Sequence, residues 1–338
     1  MTRFDHDYDA DDPHPFSKYL AALGRGPGRS RSLTRDEAFE AMSMVLDGRA
    51  DELQVGAFLL LLRYRHENAD EVAGLAEAIR HHEGLPRLVG DGRQGADLDW
   101  PSYAAGRTRG APWFLLSALL LAQNGVRVAM HGFNSHLKNG TLTEQCLAAL
   151  DLPVAASVDE ARVQLSQRNF TYMPLRNFSP VTQDLLGLRP LLGLRTAVNT
   201  VVRTLNPLNA PASFVGIFHP PYLDVQLGAA QNLGTARVGV IKGGGGEAER
   251  TPFKPVMLSL NQDQQNWQPM LDKSLGPKVD PATLDHLLAV WRGGVEDAVG
   301  RAVVIGTAAQ ALVVAARAAN QQEAEAQAAI FWDRRLEA

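Results

Sequence analysis

Cationic side chains set beside glycines are the part of this chain best suited to chemistry. Arg107 and Arg109 lie in the run Ala105-Gly106-Arg107-Thr108-Arg109-Gly110, just ahead of Pro112. Proline at a first turn opens a helix, so the positive end of the helix dipole adds to the two guanidinium groups. Lys138 stands in the polar stretch Asn134–Gly140 with His136 and Asn139, and Lys242 is followed by Gly243–Gly246. Glycine lets backbone N–H groups approach an anion closely, and a neighbouring cation completes the cradle. Lys18, Arg25, Arg29 and Arg31 form a basic, glycine-rich arm, and Arg189 sits in the acid-poor stretch Leu188-Arg189-Pro190-Leu191-Leu192-Gly193. Such groups suit the phosphate of a nucleic acid or another anion. Each also has a plainer reading as a solvated loop, turn or tail paired with carboxylates elsewhere. His131 reads as a structural histidine, and no side chain is assigned a catalytic or metal-binding role.

The charge distribution supports an anionic partner more than the total does. The net charge is −4. Asp5, Asp7, Asp9, Asp11 and Asp12 against Arg3 account for −4 within residues 1–14, so the remainder is neutral. Residues 15–35 and 100–143 contain basic residues and no acid, and residues 161–223 hold Arg162, Arg168, Arg176, Arg189, Arg195 and Arg203 against Asp184 alone. Asymmetry of this kind is a clue to an anionic ligand. The lone cysteine, Cys146, excludes an internal disulfide framework and argues against a zinc cluster. The longest apolar run, around Pro112–Ala122, is too short to span a membrane, and the acidic start is not a secretory signal. A cytoplasmic protein without a membrane partner is expected.

The elements that position these residues fall into two parts. Thr34 with Glu37, Asp51 with Gln54 and Asn68 with Glu71 have capping-box spacing, each ahead of an apolar helical stripe. Farther on, Pro112 opens a helix at Trp113–Asn124, and Val126–Met130, Ser213–Phe218 and Arg237–Ile241 read as strands, with a helix at Leu223–Leu233. The alternation predicts an α/β fold: a small all-helical domain plus a larger α/β domain with a mixed, mainly parallel sheet. The boundaries expected are a disordered acidic tail over 1–14, a helical domain over 15–95 joined by helices near 180–205, and an α/β domain over 96–338. The apolar run Leu59–Leu62 exceeds what three short helices can bury, which points to a homodimer.

Several phrases resemble the anthranilate phosphoribosyltransferase and nucleoside phosphorylase superfamily, glycosyltransferase family 3, which carries the class III phosphoribosyltransferase fold. They are LTRDEAFEAMSMVLDGRADELQVGAFLLLLR from Leu33, NGVRVAMHG from Asn124, LGLRTAVNTVVRTLNPLNAP from Leu192, VGVIKGGGGEAER from Val238 and GTAAQALVVAARA from Gly306. The departures are concentrated at the donor side. The family's Gly-Thr-Gly-Gly-Asp diphosphate loop is replaced by Asp99-Trp100-Pro101-Ser102-Tyr103-Ala104-Ala105-Gly106-Arg107. Its Lys-His-Gly-Asn-Arg motif becomes Met130-His131-Gly132-Phe133-Asn134, and its metal-holding Asp-Glu pair becomes Ala248-Glu249. Pro101 offers no N–H, and losing cations and a carboxylate removes the charge stabilisation that phosphoribosyl transfer needs. Arg189 matches a family arginine that contacts the aromatic acid.

The phrases from Asp97 to Gly132 and from Ile241 to Arg250 are similar to the YbiB-like (TrpD-like) branch, which keeps the fold without the transferase motifs. That resemblance implies a homodimer that binds nucleic acid, DNA without strong sequence preference, through Arg107, Arg109, Lys138, Lys242, Arg25, Arg29, Arg31 and Arg189, with no cofactor. The alternative is a phosphoribosyl- or glycosyltransferase with an altered site, for which magnesium is required.

Overall fold

The structure, a computed structural model, describes residues 8, 11–26, 28–86, 95–103, 111–133, 143–275 and 283–337. Four helices begin the chain: α1 (Ser17–Gly24), α2 (Arg35–Leu46), α3 (Glu52–Arg65) and α4 (Ala69–His82). All three expected capping boxes form. The Thr34, Asp51 and Asn68 side chains accept first-turn N–H groups, and Glu37, Gln54 and Glu71 reach back to the cap residue's own N–H. Each cap contributes about 1 kcal/mol by satisfying donors that a helix start otherwise leaves open.

The alternating part follows: β1 (Leu98–Ser102), α5 (Trp113–Gln123), β2 (Val128–Gly132), α6 (Thr143–Ala149), α7 (Val158–Arg168) and β3 (Phe170–Pro174). Then come α8 (Pro180–Gly187), α9 (Arg189–Leu192), α10 (Val198–Val201), β4 (Ala212–Ile217), α11 (Tyr222–Leu233) and β5 (Arg237–Lys242). A hairpin, β6 (Val256–Leu260) and β7 (Asp263–Trp267), precedes α12 (Leu284–Trp291), α13 (Ala298–Val314) and α14 (Gln321–Arg334). The seven strands lie in the order β3-β2-β1-β4-β5-β6-β7. β1 to β5 are parallel, and β6 and β7 are antiparallel. This is the mixed, mainly parallel sheet that the alternation predicts.

Two cores lie on opposite faces of the sheet. On one face α5, α13 and α14 cover Leu98, Trp100, Met130 and Phe214. On the other, α1–α4 pack with Leu185, Leu186, Val198 and Val201 from α8 and α10, and with Tyr103 and Ala129 from the strands. α11 bridges α4 to the strands β4 and β5, with Gly228 close enough to Ala69 that an added Cβ would meet it at 2.8 Å.

One expectation needs correction. Asp99–Ser102, read as the start of a replaced loop, is the buried central strand β1. Its ladder to β2 runs through Ser102, whereas pairing with β4 ends at Asp99. Leu98 N–H and Ser102 C=O both bond toward β2, so alternation turns Pro101 toward β4, where the ladder has already ended. A proline is tolerated in a strand only where no donor is needed.

Candidate functional site

The chain runs outward from β1 to β2 and β3, then returns to place β4 beside β1. Ligands of open α/β sheets settle in the crevice that such a reversal leaves at the carboxyl ends of the strands. A buried polar chain ties this point together. Asp99 of β1, His131 of β2 and Ser213 of β4 all face the helical domain. The Tyr103 hydroxyl lies 2.7 Å from His131 Nδ1. His131 Nε2 lies 3.1 Å from Asp99 Oδ1, and Ser213 Oγ donates to Asp99 Oδ2 at 2.8 Å. His131 and Asp99 are completely buried. The Nε2–Oδ1 approach falls outside hydrogen-bond geometry, so these two buried atoms lack a hydrogen-bond partner. Burial raises the Tyr103 hydroxyl well above its ordinary value, so the phenol stays a donor.

Arg203, in the turn Val202–Thr204 after α10, sits above this chain. Its Nη1 donates to Gly216 O at 2.9 Å and to Gly246 O at 3.0 Å, linking β4 to the loop after β5. Burial pulls this guanidinium below its usual range, against the attraction of Glu247 and Tyr103. Beside it a cleft of about 310 Å³ opens between the helical domain and the ends of the strands, lined by Arg63, Arg189, Arg195, Arg203 and His219 together with Ile217, Phe218 and Tyr222. No carboxylate is among the described residues that line it. Glu67 lies just behind, with Oε1 2.5 Å from Thr200 Oγ1 and 3.6 Å from Arg63. The Arg63 guanidinium rests over the Tyr222 ring at 5.2 Å. Burial lowers the Arg195 guanidinium, and Arg189, Arg203 and Arg63 lower it further. The cleft therefore concentrates like charge in a partly dehydrated space, a field that draws anions.

A second, larger groove of about 740 Å³ runs between α11 and the β6–β7 turn, past Asp224, Gln231, Asn261 and Asp263. It has no arginine or lysine among its lining residues and lies away from the reversal point, so it does not compete for this role.

The residues singled out from sequence divide sharply. Arg189, the first residue of α9, lines the cleft. Lys242 ends β5, exposed. The glycine loop after it turns its donors inward: Gly243 N–H bonds Ile217 O, Gly244 N–H bonds Glu249 O and Gly246 N–H bonds Gly243 O. Arg25 and Arg29 are exposed after α1, whereas Arg31 grips Glu37 through two contacts of 2.6 Å. Arg107, Arg109 and Lys138 lie outside the described residues. The N-terminus of the helix after Pro112 is already engaged, because Phe114 N–H of α5 donates to Glu249 Oε2 at 2.9 Å. Trp100 is wholly buried, edge-on to Phe214 at 5.0 Å, and Tyr103 is nearly so, leaving neither ring a face for a base. Sequence reading passed over Arg63, Arg195 and Arg203 as site residues. The signal for Arg63 was an arginine closing the otherwise apolar run Phe58–Leu62.

Residues 17–83 match the helical bundle domain of a glycosyl transferase family, and residues 114–332 match that family's a/b domain. The chain belongs to this glycosyl transferase family. An anthranilate phosphoribosyltransferase of Anaeromyxobacter sp. is 29% identical over 319 residues, covering 86% of this chain and 87% of that protein. An uncharacterized protein of Aquifex aeolicus is 29% identical over 248 residues, 73% of each chain. Among solved structures, the anthranilate phosphoribosyltransferase of Thermus thermophilus superposes with a TM-score of 0.71 at 23% identity, covering 95% of this chain and 98% of that one. The Saccharomyces cerevisiae enzyme in complex with PRPP and Mg gives 0.74 at 15% identity, covering 95% and 96%.

The described residues do not fit a magnesium ion held by an acidic pair. Ala248 stands where one carboxylate is expected, Glu249 is committed to capping α5, and no group of three His, Cys, Asp or Glu converges among the described residues. Among those same residues, no helix is long and apolar enough to cross a membrane.

Proposed function

We propose that this protein is a glycosyltransferase whose acceptor is a small organic acid, with a donor site unlike that of the anthranilate phosphoribosyltransferases. The observation that carries the reading is the cleft lined by Arg63, Arg189, Arg195 and Arg203, with no carboxylate among the described residues that line it. Guanidinium forks match carboxylates in two-point geometry, and the Phe218 and Tyr222 rings supply the apolar walls that a ring-bearing acid needs. Supporting it, relatives at 28–29% identity over most of the chain are anthranilate phosphoribosyltransferases. The test is turnover. The protein is incubated with an aromatic acid, magnesium and a panel of sugar phosphates that includes phosphoribosyl diphosphate, and the acid is followed by fluorescence. Formation of a glycosylated acid with at least one donor, abolished in Arg189→Ala, is the expected result. Acids that neither bind nor react sink the reading.

A second reading, sequence-tolerant DNA binding by a homodimer of the YbiB-like branch, draws on the exposed Arg25 and Arg29 and on the acid-free stretches around Arg107, Arg109 and Lys138. Pairing on the described surface weighs against it. Lys18 meets Glu40, Arg31 meets Glu37, Arg127 meets Asp97, Arg162 meets Asp159 and Arg176 meets Glu144. Fluorescence anisotropy of labelled oligonucleotides at two salt concentrations, beside an Arg107/Arg109/Lys138 triple alanine variant, separates the two. Salt-sensitive binding lost in that variant favours DNA as the partner, and its absence in the wild type at low salt removes this reading.

A further inference from the structure

On one side the sheet runs on past its helical cover. α11 packs over β4 and β5, and β6 and β7 continue the sheet beyond it. Side chains alternate between the two faces of a strand. Val240 of β5 packs with the residues of α11. It stands in register with Ser259 of β6, and Ser259 with Gln264 of β7. These three side chains therefore share the face that α11 overlooks. The groove between that face and α11, at about 740 Å³, is within the size range of small-molecule sites. α11 itself divides it from the arginine cleft: Tyr222 and Gln226 line the cleft, whereas Leu223, Asp224 and Leu227 line the groove.

The groove has the chemistry of a cation site. Asp224 comes from α11 and Asp263 begins β7, so its two walls each carry a carboxylate. No arginine, lysine or histidine is among the described residues that line it. Both carboxylates are exposed, and neither holds an ion pair among the described residues. Leu223, Leu227 and Val238 supply apolar lining. Ser259 also lines the groove, is only 1% exposed, and its Oγ has no hydrogen-bond partner. A buried hydroxyl without a partner costs free energy, and its oxygen is an acceptor for an N–H that a ligand brings. The frame is fixed beforehand. The Asn261 side chain accepts from Val238 N–H at 2.8 Å and donates to Ala236 O at 3.1 Å, which pins the β6–β7 turn to the start of β5. The amides of Gln231 and Gln264 would serve a neutral polyol equally well, but two carboxylates without a lining cation favour positive charge.

We propose that this groove binds a short aliphatic diamine or polyamine. Its ammonium groups meet Asp224 and Asp263, its methylenes lie against Leu223, Leu227 and Val238, and one N–H donates to Ser259 Oγ.

Calorimetric titration of the full-length protein with putrescine, spermidine, butylamine, butanediol and maltose tests this. Putrescine or spermidine should bind saturably and about 5-fold or more tighter than butylamine, because a second exposed charge pair adds a few-fold. Added salt should weaken the binding. Asp224→Asn/Asp263→Asn, which keeps the shape of both side chains, should lose about 5-fold or more. Ser259→Ala should lose about 2-fold or more with no fall in melting temperature, since the hydroxyl it removes is unpaired. Equal putrescine and spermidine affinity in the wild type and the double Asn variant overturns the proposal. So does the absence of saturable binding by both amines, or binding of butanediol or maltose as tight as theirs.

Discussion

Replacing His131 by alanine should be among the most damaging single changes in this protein. The imidazole is wholly buried and joins Tyr103 to Asp99, which Ser213 holds from the other side. Its removal leaves the Asp99 carboxylate without its ring partner and the Tyr103 hydroxyl without an acceptor, and it opens a cavity beside Phe178, whose ring lies 5.9 Å away. Unpaired buried polar groups beside a new cavity together cost about 2–5 kcal/mol. The conservative change Tyr103→Phe removes only the partner of His131 Nδ1 and should cost about 1–3 kcal/mol, and Ser213→Ala about 1 kcal/mol. The assay is urea unfolding followed by tryptophan fluorescence and analysed by linear extrapolation. The expected order is His131→Ala above Tyr103→Phe above Ser213→Ala. The double variant Tyr103→Phe/Ser213→Ala should depart from additivity by about 0.5 kcal/mol or more, because both flank the same His–Asp pair. If His131→Ala costs less than about 1 kcal/mol, the three side chains are neighbours rather than a connected support for β1, β2 and β4.

Other consequences follow from single contacts. Arg31 and the Thr34 N–H hold the Glu37 carboxyl down to about 2 from an ordinary 4.5. A depressed carboxylate stabilises the fold above its unfolded pKa and loses that contribution as pH falls through the folded one. Melting temperature should therefore decline between about pH 4.5 and 2 less steeply in Glu37→Gln than in the wild type, by a small margin since the pair is exposed. Glu249→Ala should cost about 1–2 kcal/mol through the lost contact at the start of α5, and sulfate should stabilise that variant more than the wild type, measured by thermal unfolding. α3 leaves Leu53 and Tyr64 exposed at 57% and 84%, an apolar face on the helical domain that a homodimer would cover. Sedimentation velocity of Leu53→Asp/Tyr64→Asp should show a monomer where the wild type is a dimer, and a wild-type monomer at all concentrations removes the dimer.

Much of the fold could be read from local signals, because capping boxes and proline or glycine punctuation act within a few residues. Thr34, Asp51 and Asn68 each start the helix their spacing predicts, and Pro112 does likewise for α5. β1 was missed because Asp99 and Pro101 interrupt an apolar strand. Only the partners of Asp99, from two other strands, and the end of the β4 ladder at Asp99 make the segment Leu98–Ser102 tolerable as a core element. The site was partly legible. Arg189 is legible through its match to a family arginine, but Arg63 is well over a hundred residues away in sequence and joins it only when α3 packs beside the ends of the strands. Lys242 misled for a related reason. A run of glycines predicts available donors, and here folding turns those donors onto Ile217, Glu249 and the loop itself.

The acceptor role of the arginine cleft requires that it hold an organic anion. Isothermal titration of ring-bearing carboxylates into the wild type and into Arg189→Ala/Arg195→Ala measures that directly. Saturable binding in the wild type that weakens about 10-fold or more in the double variant, with the variant's unfolding transition intact, is the predicted result. Equal affinity in the two proteins, or no binding in either, contradicts it.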